Sequence, residues 1–360
     1  MRTNSSYYRT AIDLFSGCGG LTLGLKQSRF NVVAAVEIDE LACEAYRNNH
    51  PEVLLFKTDI RQLSGKLLLE TIGLKPGELD ILAGCPPCQG FSRMTRKNRS
   101  RASQDPRNGL VLDLLRLVRS LRPKVVLMEN VPGLQSHWRF ATLKRGLTRA
   151  GYVCSCGVLN AANFGVPQRR KRLILLASRL GPITLPSGKN TRTTVRNAIG
   201  AMPSPGKSTD PLHSFQIRHS PQILKIIKDI PKDGGSRLDL GIDRQLECHR
   251  KFKGFKDVYG RMRWNSVSPT ITGSCFNPSK GRFLHPVQNR AISLREAAIL
   301  QTFTRQYRFP DPNIVSRAQV ALLIGNALPP QLARAQGFHI GKHLKTWDMP
   351  SNKTSTKLKA

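Results

Sequence analysis

The stretch Ile81-Leu-Ala-Gly-Cys-Pro-Pro-Cys-Gln-Gly-Phe-Ser92 reads as an apolar strand cut off by two prolines. Proline fixes φ and donates nothing to a sheet ladder, so the strand ends there and Cys88 follows on a stiff loop. In an α/β protein the carboxyl end of a strand is where a reactive thiol belongs. Cys85 and Cys88 also spell C-x-x-C, which at this point leaves redox and metal readings open.

Working outward, the same strand-then-turn grammar repeats. Upstream, Thr10 to Phe15 is strand-like and runs into Ser16-Gly-Cys-Gly-Gly20, with a helix opening near Leu21. Asn31 to Glu37 and Val53 to Phe56 are the next strands, and Leu79 to Ala83 is the fourth. Downstream, Leu110 to Leu121 has apolar residues at helical spacing and stops before Pro123. Lys124 to Met128 is a fifth strand, followed by Glu129-Asn-Val-Pro-Gly133. Phe140 to Ala150 is again helical, and Arg172 to Ala177 is a late strand. Strands alternating with helices over about 180 residues predict an α/β fold with a parallel, doubly wound sheet. Gly17, Glu37, Asp59, Cys88 and Glu129 each follow a strand, so the fold gathers them on one edge.

After Ser178 the pattern breaks. Residues 181–290 are rich in Gly, Pro, Ser, Lys and Arg, with one helix-like piece from Pro221 to Ile230. Regular structure returns at Ser293 to Gln301 and Gln319 to Ile324, and Gly325-Asn-Ala-Leu-Pro-Pro330 precedes a last helix to about Leu344. The expected division is a catalytic, cofactor-binding part (1–180), a second domain (181–290), a return segment completing the first (291–345) and a basic, disordered tail (346–360).

With 57 Lys+Arg against 23 Asp+Glu, the formal net charge is +34. Such basicity points to a polyanion. No apolar run approaches the roughly 20 residues of a membrane span, so the expected partner is nucleic acid and not a membrane. The eight cysteines read as thiols in a reducing compartment rather than a disulfide framework. A zinc site would want a second C-x-x-C or paired histidines. Only Cys154-Ser-Cys156 and Cys248-His249 are on offer, so no metal is expected.

Gly17-Cys-Gly-Gly20 resembles a glycine-rich nucleotide loop, except that Thr22 stands where a third glycine would be. Glu37 comes twenty residues after Gly17, where an acid can accept from ribose hydroxyls, and Asp59 can accept from an adenine amino group. A missing third glycine suits a cofactor without phosphates. S-adenosylmethionine, a nucleoside carrying an amino acid, is such a cofactor.

Taken together, the segments from about Ile12 to Pro330 resemble, in order, the DNA (cytosine-5)-methyltransferases of the bacterial restriction-modification type. Asp13-Leu-Phe-Ser-Gly-Cys-Gly-Gly20 is similar to the family's cofactor loop, and Gly84-Cys-Pro-Pro-Cys-Gln-Gly-Phe-Ser92 to its nucleophile loop. Glu129-Asn-Val131 is similar to its acidic motif and Gln168-Arg-Arg-Lys-Arg172 to its Q-x-R-x-R. Ser268-Pro-Thr-Ile-Thr272 and Gly325-Asn-Ala-Leu-Pro-Pro330 match the late segments, with Leu328 where valine is usual. The resemblance implies a Rossmann-like S-adenosylmethionine-dependent methyltransferase fold with a smaller, loop-rich target-recognition domain. It implies cofactor contacts from Asp13, Phe15, Gly17, Gly19, Glu37, Ile38, Asp59, Ile60, Pro86, Leu110, Asn326 and Ala327.

For the reaction, the resemblance implies that Cys88 attacks C6 of cytosine, which makes C5 enamine-like. Glu129 would hold the N3/N4 edge. Arg172, with Arg170 as second candidate, would bind the O2 oxygen. The target atoms lie inside the duplex, so the base must be flipped out. Ser92, Arg93, Arg96, Lys97, Arg99 and Gln168 are the expected DNA contacts, the basic run after Cys88 reading as a loop that closes on phosphates. The implied setting is double-stranded DNA, a cognate restriction endonuclease at the same site, a monomer, and a prokaryotic cytoplasm with nucleoid association through DNA. Two other readings remain. One is a tRNA cytosine-5 methyltransferase of the same fold; here Cys275-Phe276 is followed by Asn277, not the threonine typical of that branch. The other is a catalytically dead DNA-binding regulator.

Overall fold

The structure, a computed structural model, describes residues 9–87, 109–189, 192–214, 219–241, 245–247 and 257–348. Seven strands, β1 (Arg9–Leu14), β2 (Phe30–Glu37), β3 (Leu54–Lys57), β4 (Ile81–Gly84), β5 (Val125–Asn130), β6 (Val153–Asn160) and β7 (Lys171–Ser178), form one sheet ordered β3-β2-β1-β4-β5-β7-β6. The described helices are α1 (Gly20–Gln27), α2 (Glu40–Asn49), α3 (Gly65–Ile72), α4 (Leu110–Leu121), α5 (Trp138–Arg149), α6 (Val195–Ile199), α7 (Pro211–Ser214), α8 (Pro221–Asp229), α9 (Leu294–Leu300), α10 (Arg317–Asn326) and α11 (Pro330–Asp348).

The strands β1 to β5 pair in parallel, but β7 runs antiparallel to both β5 and β6. The wholly parallel sheet expected from the sequence is thus corrected to a mixed one. Between β6 and β7 lie only residues 161–170, holding one short 3-10 turn, Ala161–Phe164. A parallel partner would need a crossover of a dozen residues or more. The sequence reading also missed β6 itself. Its run Val-Cys-Ser-Cys-Gly-Val-Leu-Asn is diluted by serine and glycine and sits half-buried at the sheet edge.

Two apolar layers clothe the sheet, assigned by strand alternation. In β5, Val126 and Met128 join the layer under α3, α4 and α5, whereas Val125 and Leu127 join the layer under α1, α2 and α11. On that second side, α11 closes directly on α1. A Cβ on Gly24 would lie 2.4 Å from both Ala333 Cβ and Pro330 O, so only glycine permits the approach. The last helix is thereby part of the first domain's packing.

A third apolar cluster joins Val195, Ile199 and Leu212 to Phe283, Phe303, Tyr307, Phe309 and the inner faces of α9 and α10. Here α9 packs on α6 and α7. Ser293 caps α9 reciprocally with Glu296, whose carboxylate also takes the Arg290 guanidinium at 2.7 Å. The loop-rich region holds a small fourth cluster, including Ile227, Ile230 and Leu284. There a fully buried Arg261 donates to the carbonyls of Ile227, Ile230, His285 and Gln288 and to Asn289 Oδ1. One side chain thus satisfies backbone groups that the irregular loops leave without ladder partners. Among the described residues, no helix is long and apolar enough to cross a membrane.

Candidate active site

Strand alternation brings the site together. Asp13 follows Ala11, Cys85 follows Ala83, and Glu129 follows Leu127, so all three lie on the α1/α11 side at the carboxyl ends of adjacent parallel strands. Arg172 precedes Ile174 in antiparallel β7 and therefore reaches the same edge from the opposite chain direction.

At the β1 end the chain turns sharply. Phe15 has φ 58, a region uncommon for a bulky side chain and one that stores strain at functional loops. Gly17 follows at φ 54, and a Cβ there would meet nothing within 4 Å, so this turn opens onto free space. Glu37 fixes the loop. Its Oε2 accepts from Gly17 N at 2.8 Å, and its Oε1 accepts from the amides of Ile38 at 2.7 Å and Asp39 at 2.9 Å. Ile38 itself is 62% exposed and presents an apolar surface beside that carboxylate. Asp59 is held by Arg61 through its backbone N–H and a two-pronged guanidinium contact, which lowers the Asp59 pKa. Ile60 is buried, its carbonyl accepting from Arg116 Nη2 at 2.6 Å.

Beneath the loop runs a buried polar chain that explains Thr22. Its hydroxyl donates to Asp13 Oδ2 at 2.7 Å and lies 2.8 Å from the Tyr46 hydroxyl. A third glycine would leave that carboxylate without its partner. Burial pushes the Asp13 pKa up to about 7, against the lowering pull of Thr22, and among the described residues its Oδ1 makes no hydrogen bond. Beyond Tyr46, His50 Nε2 lies 3.0 Å from the Tyr307 hydroxyl, which in turn donates to Cys18 O. Burial lowers the His50 pKa to about 4. Tyr307 thus ties the loop to the return segment. Nothing in the sequence singled out Tyr46, His50 or Tyr307.

This pocket fits a nucleoside with a cationic amino-acid arm better than a dinucleotide. Glu37 and Asp59 present carboxylate oxygens there, a surface that suits hydroxyl and amino groups better than a pyrophosphate. The nearby Lys26 is turned to Glu52 and His50.

At the β5 end, Glu129 is 8% exposed and Arg172 Nε stands 2.6 Å from its Oε1. The approach is off the angle a hydrogen bond requires, and Oε1 has no other hydrogen-bond partner among the described residues. An ion pair therefore stands at this strand end with one carboxylate oxygen not hydrogen-bonded among the described residues. Cys85, the residue after the β4 position paired with Met128, is close enough to Glu129 for that carboxylate to act on its thiol. Burial first, and that carboxylate second, drive its thiol pKa well up, so it stays protonated. Cys85 also touches the apolar layer on this side of the sheet. Asn130 holds the proline pair, donating to Pro86 O at 3.0 Å.

Two sequence expectations are corrected. Gln168 was expected on DNA, but it is fully buried: its amide N–H groups donate to Leu300 O and Gln301 Oε1, and its carbonyl accepts from Ile271 N. Arg170 was the second candidate for the cytosine oxygen. It is 2% exposed and donates to the carbonyls of Ile271, Gly325 and Ala327, so its guanidinium braces two late segments. Of the remaining expectations, Leu110 starts α4, and Asn326 and Ala327 end α10 and begin the turn to α11. Cys88, Ser92, Arg93, Arg96, Lys97 and Arg99 lie outside the described residues. Among the described residues no cluster of three His, Cys, Asp or Glu could hold a metal.

Residues 9–342 match the family model described as C-5 cytosine-specific DNA methylase. The type II methylase M.HgiDII of Herpetosiphon aurantiacus is 36% identical over 347 residues, covering 93% of this chain and 95% of its own. The type II methyltransferase M1.HphI of Haemophilus parahaemolyticus is 37% identical over 333 residues, covering 91% and 85%. Among solved structures, a putative DNA modification methyltransferase from an E. coli prophage superposes with a TM-score of 0.72 at 23% identity, covering 94% of this chain and 99% of that one. The Entamoeba histolytica methyltransferase EhMeth gives 0.66 at 19%, covering 94% and 99%. At those identities the likeness carries the fold.

Proposed function

The chain belongs to the C-5 cytosine-specific DNA methylases and is a DNA (cytosine-5)-methyltransferase using S-adenosylmethionine; from that premise we propose that it modifies a flipped cytosine in a specific double-stranded sequence, with Cys88 as nucleophile. The observation that carries this reading is the Glu129–Arg172 pair at the strand edge, beside the proline-terminated β4.

The loop Phe15–Gly19, Glu37, Ile38, Asp59, Ile60, Pro86, Leu110, Asn326 and Ala327 would hold the cofactor. When bound, S-adenosylmethionine supplies an electrophilic sulfonium methyl for the activated C5. The Cys88 thiolate forms a bond to C6 and breaks the ring's conjugation. Glu129 grips the N3/N4 edge and favours a proton at N3, relieving the charge the attack creates. Arg172 places its guanidinium against O2, where that charge spreads. Loss of the C5 proton then expels the Cys88 thiolate and restores the aromatic ring.

Residues 181–290 are the proposed target-recognition part, reading base edges in the major groove. Ser92, Arg93, Arg96, Lys97 and Arg99 are proposed phosphate contacts. The enzyme acts as a monomer in the cytoplasm, at the nucleoid, alongside a cognate endonuclease. Two experiments test the core claim. Tritiated methyl should pass to DNA and not to tRNA. A duplex carrying 5-fluorocytosine should trap a covalent complex with wild type but not with Cys88→Ala. A Cys88→Ala enzyme that still turned over normally would sink the mechanism. Sequencing methylated sites after expression in a methylation-free host gives the target sequence.

A further inference from the structure

Beside the strand end that carries Glu129, an exposed tryptophan and an arginine are stacked on each other. From β5 the chain passes through the 3-10 turn Pro132–Ser136 into α5. A helix that follows a strand in an α/β sheet begins at that strand's carboxyl edge. Trp138, the first residue of α5, therefore stands on the edge that bears the acid. It is 58% exposed, although an indole gains much from burial. The Arg139 guanidinium lies 4.5 Å from the Trp138 ring centroid, and the His137 ring stacks on the same indole with centroids 5.8 Å apart and planes at 29°.

The group is held stiffly. Leu134 and Phe140 on either side are buried, and Arg139 N donates to His137 Nδ1 at 3.2 Å. It is also electrically one-sided. From Asn130 to Thr209 the sequence contains thirteen Lys and Arg and not one Asp or Glu. Among the described residues Arg139 makes no ion pair.

We propose that His137-Trp138-Arg139 is a contact platform for the sugar–phosphate backbone of the duplex flanking the flipped nucleotide. The indole face packs on deoxyribose, and the guanidinium, steadied over the ring, pairs with a phosphate. Such contacts position the duplex without reading its sequence. The platform rests on the reading of this chain as a duplex DNA methyltransferase.

Binding to target and unrelated duplexes across a salt series, with the full-length protein, tests it. Trp138→Ala and Arg139→Ala should each weaken both duplexes about five- to tenfold. Arg139→Ala should also reduce the salt slope by about 1. Trp138→Phe should keep most of the affinity, and S-adenosylmethionine binding should be unchanged in all, which shows that the fold is intact. Arg149→Ala removes a cation about 15 Å further along α5 and should bind like wild type. Unchanged affinity and slope in the Trp138 and Arg139 variants, or an equal loss in Arg149→Ala, overturns the platform. Failure of wild type itself to methylate duplex DNA sinks the parent reading instead.

Discussion

At the β1–β2 end of the sheet edge, Glu37 gives both carboxylate oxygens to three backbone amides. At the β5–β7 end, the Glu129 Oε1 is paired with Arg172 Nε at 2.6 Å, off hydrogen-bond geometry, and among the described residues that oxygen accepts no hydrogen bond. Both acids stand at strand ends of one sheet, with β1 and β4 between them, yet one is finished and the other is waiting. The finished acid shapes a loop before anything binds, which lowers the ordering cost of binding a small cofactor. The waiting acid keeps an acceptor for a base that must be swung in from a helix.

The contrast can be broken experimentally, most sharply at the waiting end. Glu129→Gln keeps the shape but removes the charge, and kcat should fall by about 10^2–10^4, with affinity for S-adenosylmethionine unchanged by calorimetry. Wild-type turnover in that variant would end the comparison. Arg172→Ala should lower kcat by about 10^2–10^3, and Arg172→Lys should recover part of it, since lysine keeps the charge without the planar fork.

Arg170→Met addresses the neighbouring arginine that braces instead. Each buried carbonyl left without a donor costs about 1–3 kcal/mol, so the urea midpoint should drop while kcat per folded molecule stays close to wild type. A large kcat loss without a stability change would return Arg170 to the chemistry. At the finished end, Glu37→Gln should raise KM for S-adenosylmethionine about tenfold and leave kcat at saturation nearly intact.

The smallest effect concerns Asp13. Its pKa stands at about 7 in the folded protein against an ordinary 3.8, so the folded state holds a proton that the unfolded state has released between those values. This group's contribution to stability is therefore full below about pH 4, declines as pH rises toward 7, and is flat above. Asp13→Asn should remove that slope. Urea midpoints at pH 5 and pH 8 that differ equally in variant and wild type would show that Asp13 is not its source.

Much of this edge was legible because a strand end is announced by a break in an apolar run: Val-Val-Leu-Met before Glu129, or Leu-Ala-Gly before two prolines, needs no partner to be read. Strand direction at β7 was not, since period-2 alternation is the same both ways and only the short 161–170 connection excludes a parallel partner. Gln168 and Arg170 were misread for a related cause. The motif names the residue types but not which of them are covered, and the segments that cover them, near Ile271, Leu300 and Gly325, arrive from more than a hundred residues away. Thr22 was visible as a missing glycine, but its partner Asp13 is defined only by packing α1 on β1.

Arg170 also marks how late the fold closes. Its partners lie 101 and 155 residues downstream, at Ile271 and Gly325. A ribosome adding about 5–20 residues per second needs roughly 8–30 seconds to deliver the second of them. Until then the nascent sheet has its strands but lacks the brace behind β7 and the helix that closes on Gly24. The brace and the closing helix are thus made last, and the packing of the first half of the chain waits on the end of synthesis.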